Sequence, residues 1–330
     1  DYFNTKLYTG NGSTQSITGV GFEPSMVWLK SRNNTYDNFL YDAVRGQGKY
    51  LQSNRTSAEA DTDQMTSFDS DGYTVGVTGG VATNGSGSTM ASWNWKANGA
   101  GSANTDGDIA STVSANTTSG FSIVSYTGTG SNATVGHGLG VAPRMIIVKN
   151  RSASEHWMVG TTSLGWTKNL VLSLSNAFAT DSSIWNNTTP TNSVFSVGNS
   201  GAVNTSSQNY IAYCFAEKQG YSKFGSYTGN GNADGTFVYT GFKPAFILAK
   251  DADSSDNWII HDTTRNPSNP VGAYLRPNLS SAEGTFSHYD ILSNGFKNLY
   301  AGGSLNGSGK NIIYMAFAEN PFVTSTGVPA

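Results

Sequence analysis

Four histidines, one cysteine and twenty-two acidic residues carry whatever acid–base, nucleophilic or metal chemistry this chain of 330 residues could perform. His137, His156, His261 and His288 show no His-x-x-x-His or similar metal-binding spacing. His137, in GHGLG, reads as a hydrogen-bonded turn residue, and His156 and His261, beside Trp157 and Trp258, as surface or satisfied core groups. Cys214 is alone, which rules out an internal disulfide framework and a Cys-rich zinc site. It lies on an apolar strand pattern and is expected to be a small buried filler, because a thiol in apolar surroundings is inert.

Glycoside hydrolysis needs two carboxyl groups that can be distant along the chain. Asp42 and Asp262 are the candidates for that chemistry. Asp61, Asp63, Asp69 and Asp71 in DTDQMTSFDSDG, with Asp251, Asp253 and Asp256 in DADSSD, offer the hard oxygen ligands that calcium takes, without EF-hand spacing. The competing role of such aspartates is to build turns by bonding their own backbone. No Gly-x-Ser-x-Gly elbow occurs, and GSLNGSGKN fails the phosphate-loop spacing and reads as a hairpin loop. The expectation is a non-enzyme without a cofactor, calcium being the one candidate. Among aromatic residues able to stack on a sugar, Trp166 and Trp185 lie outside the apolar strand patterns and are the candidate ligand contacts. Trp28, Trp93, Trp95, Trp157 and Trp258 fall on strand patterns and are assigned to the core.

The elements that position these residues come in three copies of one pattern. It begins Tyr-Thr-Gly at Tyr8, Tyr126 and Tyr227, passes through Gly-x-x-Pro at Pro24, Pro143 and Pro244, and continues into an apolar run ending at Lys30, Lys149 and Lys250. A charge at that point is expected to be a solvated strand end or an edge guard. FLYDAVRG, WMVGTTSLG and WIIHDTTRN correspond next, so the second copy has no acid matching Asp42 and Asp262. Each copy closes on an aromatic strand: MASWNWKA, YIAYCFAE and IYMAFAEN. Successive strand side chains point to opposite faces. Trp93 and Trp95, Tyr213 and Phe215, and Met315 and Phe317 therefore share a large face, and Ser92 and Asn94, Ala212 and Cys214, and Ala316 and Ala318 a small one. A central strand covered on both sides is expected.

Composition agrees. Only 12% of residues are charged, against roughly 25% in ordinary domains. Gly, Ser, Thr and Asn make up nearly half the chain, and all four prefer turns or extended chain to helix interiors. The fold class is all-β, with three tandem β-sandwich or jelly-roll-like modules: residues 1–97, 120–219 and 220–330, and a Gly/Ser/Asn/Thr-rich linker at 98–119. The modules could surround a pseudo-threefold axis or run end to end as beads, and the polar linker favours beads. With 19 basic and 22 acidic residues, a net charge of −3 and no basic run, no nucleic-acid footprint exists. No apolar run nears the roughly 20 residues that span a bilayer, so no membrane insertion is expected. The chain opens DYFNTKLYTG at Asp1, unlike a signal peptide, and is expected to be processed or part of something longer.

The phrases DYFNTKLYTGNGSTQSITGVGFEP, SFDSDGYTVG, FSIVSYTGTGSNATVGHGLGVAPRMIIVKNRSASE and IYMAFAENPF resemble a repeat family of structural proteins of tailed phages from aquatic and cyanobacterial hosts. The resemblance covers essentially the whole chain; the third copy departs most, at RNPSNPVGAYLRPN. It implies a virion component on the outside of the particle, in a tail fibre, appendage or capsid decoration. Its partners would be other virion proteins, copies of itself and a host-surface glycan. It carries over no catalytic residue. The alternatives are a self-assembling decoration or filament block with no receptor role, and a polysaccharide depolymerase or carbohydrate-binding module of a secreted enzyme.

Overall fold

The protein is described by a computed structural model that covers residues 2–78 and 80–321. Asp1, Gly79 and residues 322–330, which fall in the first and third expected modules, lie outside the described residues.

The first lobe comprises β1 (Phe3–Thr9), β2 (Gln15–Thr18), β3 (Met26–Ser31), β4 (Phe39–Asp42), β5 (Lys49–Gln52), β6 (Ala60–Asp61), β7 (Asp63–Asp69), β8 (Gly72–Thr78) and β9 (Thr89–Trp95). Its inner sheet has the order β1-β9-β3-β4-β5-β6 and its outer sheet β2-β8-β7. The second lobe comprises β10 (Ser102–Asn104), β11 (Ser111–Asn116), β12 (Phe121–Thr127), β13 (Ala133–Gly136), β14 (Met145–Asn150), β15 (Met158–Thr161), β16 (Lys168–Val171), β17 (Ala179–Thr180), α1 (Ser182–Trp185), β18 (Val194–Val197), α2 (Gly201–Asn204) and β19 (Asn209–Phe215). Here the inner order is β10-β11-β12-β19-β14-β15-β16-β17, and β13-β18 forms the outer layer. The third lobe comprises β20 (Ser222–Thr228), β21 (Phe237–Tyr239), β22 (Pro244–Asp251), β23 (Ile259–Asp262), β24 (Val271–Tyr274), β25 (Gly284–Leu292), β26 (Gly295–Asn298), α3 (Gly303–Asn306) and β27 (Asn311–Ala318). Its sheets run β20-β27-β22-β23 and β21-β26-β25-β24.

One arrangement therefore recurs three times. The Tyr-Thr-Gly strand pairs with the closing strand, which pairs on its other edge with the strand after Gly-x-x-Pro. The closing strands β9, β19 and β27 are thus central, and both their faces are buried. Their small faces meet the outer sheet of their own lobe: Ala212, Cys214 and Ala216 belong to the second lobe's core, and Ala316 and Ala318 to the third's.

The large faces meet one another. Residues from all three inner sheets, among them Trp28, Trp93, Ile147, Tyr213, Leu248 and Met315, form a single cluster. At its centre Trp95, Phe215 and Phe317 make a triangle, with ring centroids 6.4, 5.8 and 6.3 Å apart. The lobes are wedges around a shared pseudo-threefold core, and the expectation of beads is overturned. The reason is the large face itself: leaving several indole and phenyl rings in water would cost about 25 cal/mol for each Å² exposed.

The segment 98–119 also departs from expectation. It is no linker but carries the β10–β11 hairpin, which extends the second lobe's inner sheet by pairing β11 with β12. Val113 is buried while Thr112 is exposed, the alternation of an antiparallel strand with one wet face. GSLNGSGKN holds the short helix α3 before β27 rather than a plain hairpin loop.

Candidate functional site

Three seams join the lobes, built from equivalent positions. Between the first and second lobes Glu59 N–H donates to Arg151 O, and the Arg151 guanidinium pairs with both Glu59 carboxylate oxygens at 2.9 Å. Between the third and first, Glu283 N–H donates to Arg32 O, and Arg32 pairs with Glu283 at 3.0 and 2.8 Å. Between the second and third, Phe178 N–H donates to Ala252 O. Apolar side chains stand there in place of the ion pair. Behind each glutamate lies a buried pair. Asp42 accepts from Arg45 and from the Tyr213 hydroxyl at 2.8 Å, and Asp262 accepts from Arg265 and from Trp93 Nε1 at 3.0 Å. Burial pushes the Glu283 carboxyl up, but bonds from Arg32 and Arg265 outweigh it and leave it below its ordinary value.

The recurring lysines lie in these seams. Lys30 Nζ donates to Tyr36 O at 2.7 Å, Asn34 O at 3.3 Å and, across the seam, Ser280 O at 3.0 Å. Lys149 Nζ donates to Asn150 O at 2.8 Å and, across the seam, Thr56 O at 2.9 Å. Lys250 Nζ donates to Asp251 O and to Ser254 O at 2.8 Å. All three residues are buried, and burial lowers each ammonium to about 8. They are not solvated strand ends: loop carbonyls, two of them from a neighbouring lobe, replace water around the charge.

The open surface is hollowed where the second lobe passes into the third. One cleft of about 470 Å³ is lined by Val141, Pro143, Arg144, Thr189, Glu217 and Lys218. A neighbouring cleft of about 410 Å³ is lined by Glu217, Gln219, Ser222, Lys223, Tyr239 and Thr240. The two meet at Glu217 and Gln219. Lys223 Nζ donates to Glu217 Oε1 at 2.8 Å. Tyr239 is 64% exposed.

A family model described as a domain of unknown function, DUF7483, matches residues 1–321. The chain belongs to the DUF7483 family. That match spans all three lobes, so the DUF7483 unit is the whole ring rather than one sandwich. No curated protein and no solved structure matches the chain.

Within this DUF7483 ring most residues singled out from sequence are structural. Trp166 and Trp185 are not ligand contacts. They are 4% and 0% exposed and pack edge to face at 5.5 Å inside the second sandwich, against Gly160, where a Cβ would lie 2.4 Å from the Trp166 ring. The calcium candidates do not converge, and among the described residues no group of three His, Cys, Asp or Glu could hold a metal. Asp71 accepts from Gly19 and Gly21 N–H, which holds its carboxyl below the ordinary range. Asp69 accepts from Thr74 Oγ1, and Asp61 pairs with Lys49. Asp63 is exposed at the start of β7. Asp251, Asp253 and Asp256 bond Asp253 N–H, Asn311 N–H and Ser304 Oγ respectively. Asp42 and Asp262, each locked to a buried arginine, hold no free carboxylate face for hydrolysis.

The histidines are bonded too. His137 Nδ1 accepts from Leu139 N–H, so its Nε2 carries the proton toward Thr191 O at 3.1 Å. Burial lowers its pKa. His156 Nδ1 lies 2.9 Å from Ser173 Oγ. His261 and His288 contact each other at 3.0 Å, and His261 Nδ1 lies 3.0 Å from Ala273 O. Cys214 is fully buried and its thiol is pushed up by burial, next to Ser122.

Sequence reasoning missed Asn84, Asn204 and Asn306, all 0% exposed. Each side-chain oxygen accepts the N–H of the residue after or near the Tyr-Thr-Gly turn, from Asn11 at 3.2 Å, Thr129 at 2.8 Å and Asn230 at 3.0 Å. Tyr8, Tyr126 and Tyr227 hydroxyls donate to the carbonyl just before each asparagine. This clasp explains why the Tyr-Thr-Gly signature recurs. The available signal was an Asn-x-Ser at a constant distance before each closing strand.

Proposed function

We propose that this chain is a non-enzymatic structural component of a phage virion, a tail-fibre, appendage or decoration element that serves host-surface attachment. The observation that carries the reading is the closed three-lobed body around Trp95, Phe215 and Phe317. A pseudo-threefold body suits a threefold position on a symmetric assembly. The buried charges are consumed in seams, and the rim is left to loops rich in Ser, Thr, Asn and Gly that suit adaptable, wet contacts. The resemblance to tailed-phage structural repeats supports the same location. The depolymerase reading is disfavoured by the arginine-locked Asp42 and Asp262. Self-assembly without a receptor role is the second reading, favoured by exposed Phe237, Phe286 and Leu292 on the outer sheet of the third lobe.

Cryo-electron microscopy of the native particle tests the proposal. The attachment reading expects the ring on the particle exterior with its loop tips free. Loops buried between neighbouring copies would leave assembly as the function, and absence from purified particles would overturn the virion reading.

A further inference from the structure

The two clefts at the junction of the second and third lobes carry residues that the other lobes lack at equivalent positions. Arg144, the residue after Pro143, corresponds to Ser25 after Pro24 and Ala245 after Pro244. Ser25 Oγ is consumed by Ala97 N–H at 3.0 Å and Gly99 N–H at 3.4 Å. Arg144 is exposed, and among the described residues its guanidinium has no ion-pair partner; the same is true of the Lys218 ammonium. Tyr239, paired with Gly295, corresponds to Thr18 paired with Gly72 and to Gly136 paired with Val194. Only the third lobe puts an aromatic ring there, and it stands in the wall of the cleft.

Three cations, Arg144, Lys218 and Lys223, thus gather with one anion, Glu217, in a chain whose net charge is −3 and whose charged residues are only 12% of the total. A planar guanidinium pairs bidentately with a carboxylate. An exposed tyrosine ring offers a flat apolar face with a polar tip. Thr162, Thr189 and Gln219 add hydroxyl and amide groups. An anion, a flat C–H face and many hydroxyls in one molecule describe an acidic sugar. An acidic peptide would want apolar side-chain pockets, and a nucleic acid a longer row of cations than this. Both clefts have volumes in the roughly 300–1,000 Å³ range of ligand sites.

We propose that this groove binds an acidic oligosaccharide, with the carboxylate of one sugar on Arg144 and Lys218 and the ring of another laid on Tyr239. The proposal rests on the attachment part of the function proposed above and names its ligand class.

Isothermal titration of the purified chain with tetragalacturonate, a hyaluronan tetrasaccharide, sialyllactose, neutral maltotetraose, an oligoglutamate and a DNA oligonucleotide tests it. The expected result is binding of at least one acidic sugar, weakened by added salt, with maltotetraose at least tenfold weaker. Arg144→Ser and Tyr239→Thr, which install the first lobe's residues, should each weaken it about tenfold, the loss of one good charged or stacking contact, with no change in melting temperature. No binding by any acidic sugar, binding indifferent to both substitutions, or preference for the oligoglutamate or DNA would overturn the proposal. A ring found on the virion whose groove binds no sugar fails this inference alone; a sugar-binding ring absent from the virion fails the location alone.

Discussion

Replacing Trp95 tests whether the three lobes are one cooperative body. Its indole meets Phe3 at 5.0 Å, Phe246 and Phe317 at 5.8 Å, Phe215 at 6.4 Å and Phe121 at 6.5 Å, so it touches all three lobes. Trp95→Phe makes the triangle chemically uniform. The lost volume is roughly 40 Å³, which at about 24 cal/mol per Å³ of unfilled space costs ~1 kcal/mol, with a transfer loss of similar size. Trp95 Nε1 has no hydrogen-bond partner, and removing that buried donor returns ~1 kcal/mol. The net expectation is ~1 kcal/mol for Trp95→Phe and about 4–5 kcal/mol for Trp95→Ala. Urea unfolding followed by far-UV circular dichroism and by fluorescence of the remaining indoles, which lie in all three lobes, is the assay. Both variants should unfold in one transition seen alike by both probes, moved to lower urea. If Trp95→Ala instead splits the curve, with one third of the signal lost early and the rest at the wild-type midpoint, the lobes are independent and the shared-core argument is wrong.

Asp42→Ala leaves the buried Arg45 guanidinium with only Glu59, at 3.3 Å, as a counter-charge and should cost about 3 kcal/mol, the low end for breaking a buried pair; thermal melting checks it, and a loss below about 1 kcal/mol would mean the Asp42 contact contributes little. Gly160→Ala forces a methyl into the Trp166 and Trp185 rings and should cost at least the ~1–3 kcal/mol of overpacking, read in the same melt, whereas Gly165→Ala, strained by its positive φ but facing open space, should cost less. His288 is lowered to about 4 by burial and then by Arg276, and His261 by burial and then by its neighbour His288. Their neutral forms stabilise the fold fully above pH 6.5, and that contribution is lost as pH falls from 6.5 toward 4, about 3 kcal/mol for His288. His288→Gln should therefore flatten the acid limb of a stability–pH curve between 6.5 and 4, and an unchanged limb would contradict this.

The alternation of large and small residues along the closing strands was legible, because a period of two survives any tertiary context. Phe317 on one face and Ala316 on the other announce a strand covered twice. What covers the large face was not legible, since Trp95, Phe215 and Phe317 are each more than one hundred residues apart and nothing local distinguishes a sister lobe from an outer sheet. Lys30 and Lys149 were misread for the same reason. Their charges are solvated by Ser280 and Thr56 carbonyls, and a backbone oxygen leaves no mark on residue type. Trp166 and Trp185 were misread because the segments around them lack periodicity; the missing clue was Gly160, which leaves the space they fill. The clefts at the second junction escaped because Arg144, aligned with Ser25 after the shared proline, has no neighbour along the chain to mark it as part of a groove, and Tyr239 is informative only once strand register makes Thr18 its counterpart.

The shared core also sets a schedule for synthesis. On a ribosome adding about 5–20 residues per second, the first lobe can pair its strands as soon as β9 emerges, yet Trp93 and Trp95 wait for β27 before their face is covered. Roughly 220 further residues separate Trp95 from Phe317, a delay of ~10–45 s in which a sheet of indoles is open to other nascent chains. Neighbouring chains on one polysome present that same face at the same time, so the first lobe of one copy could accept the third lobe of another in place of its own. The covalent tether raises the local concentration of the correct lobe, and expression yield should therefore depend on translation density more steeply than for a protein whose domains close independently.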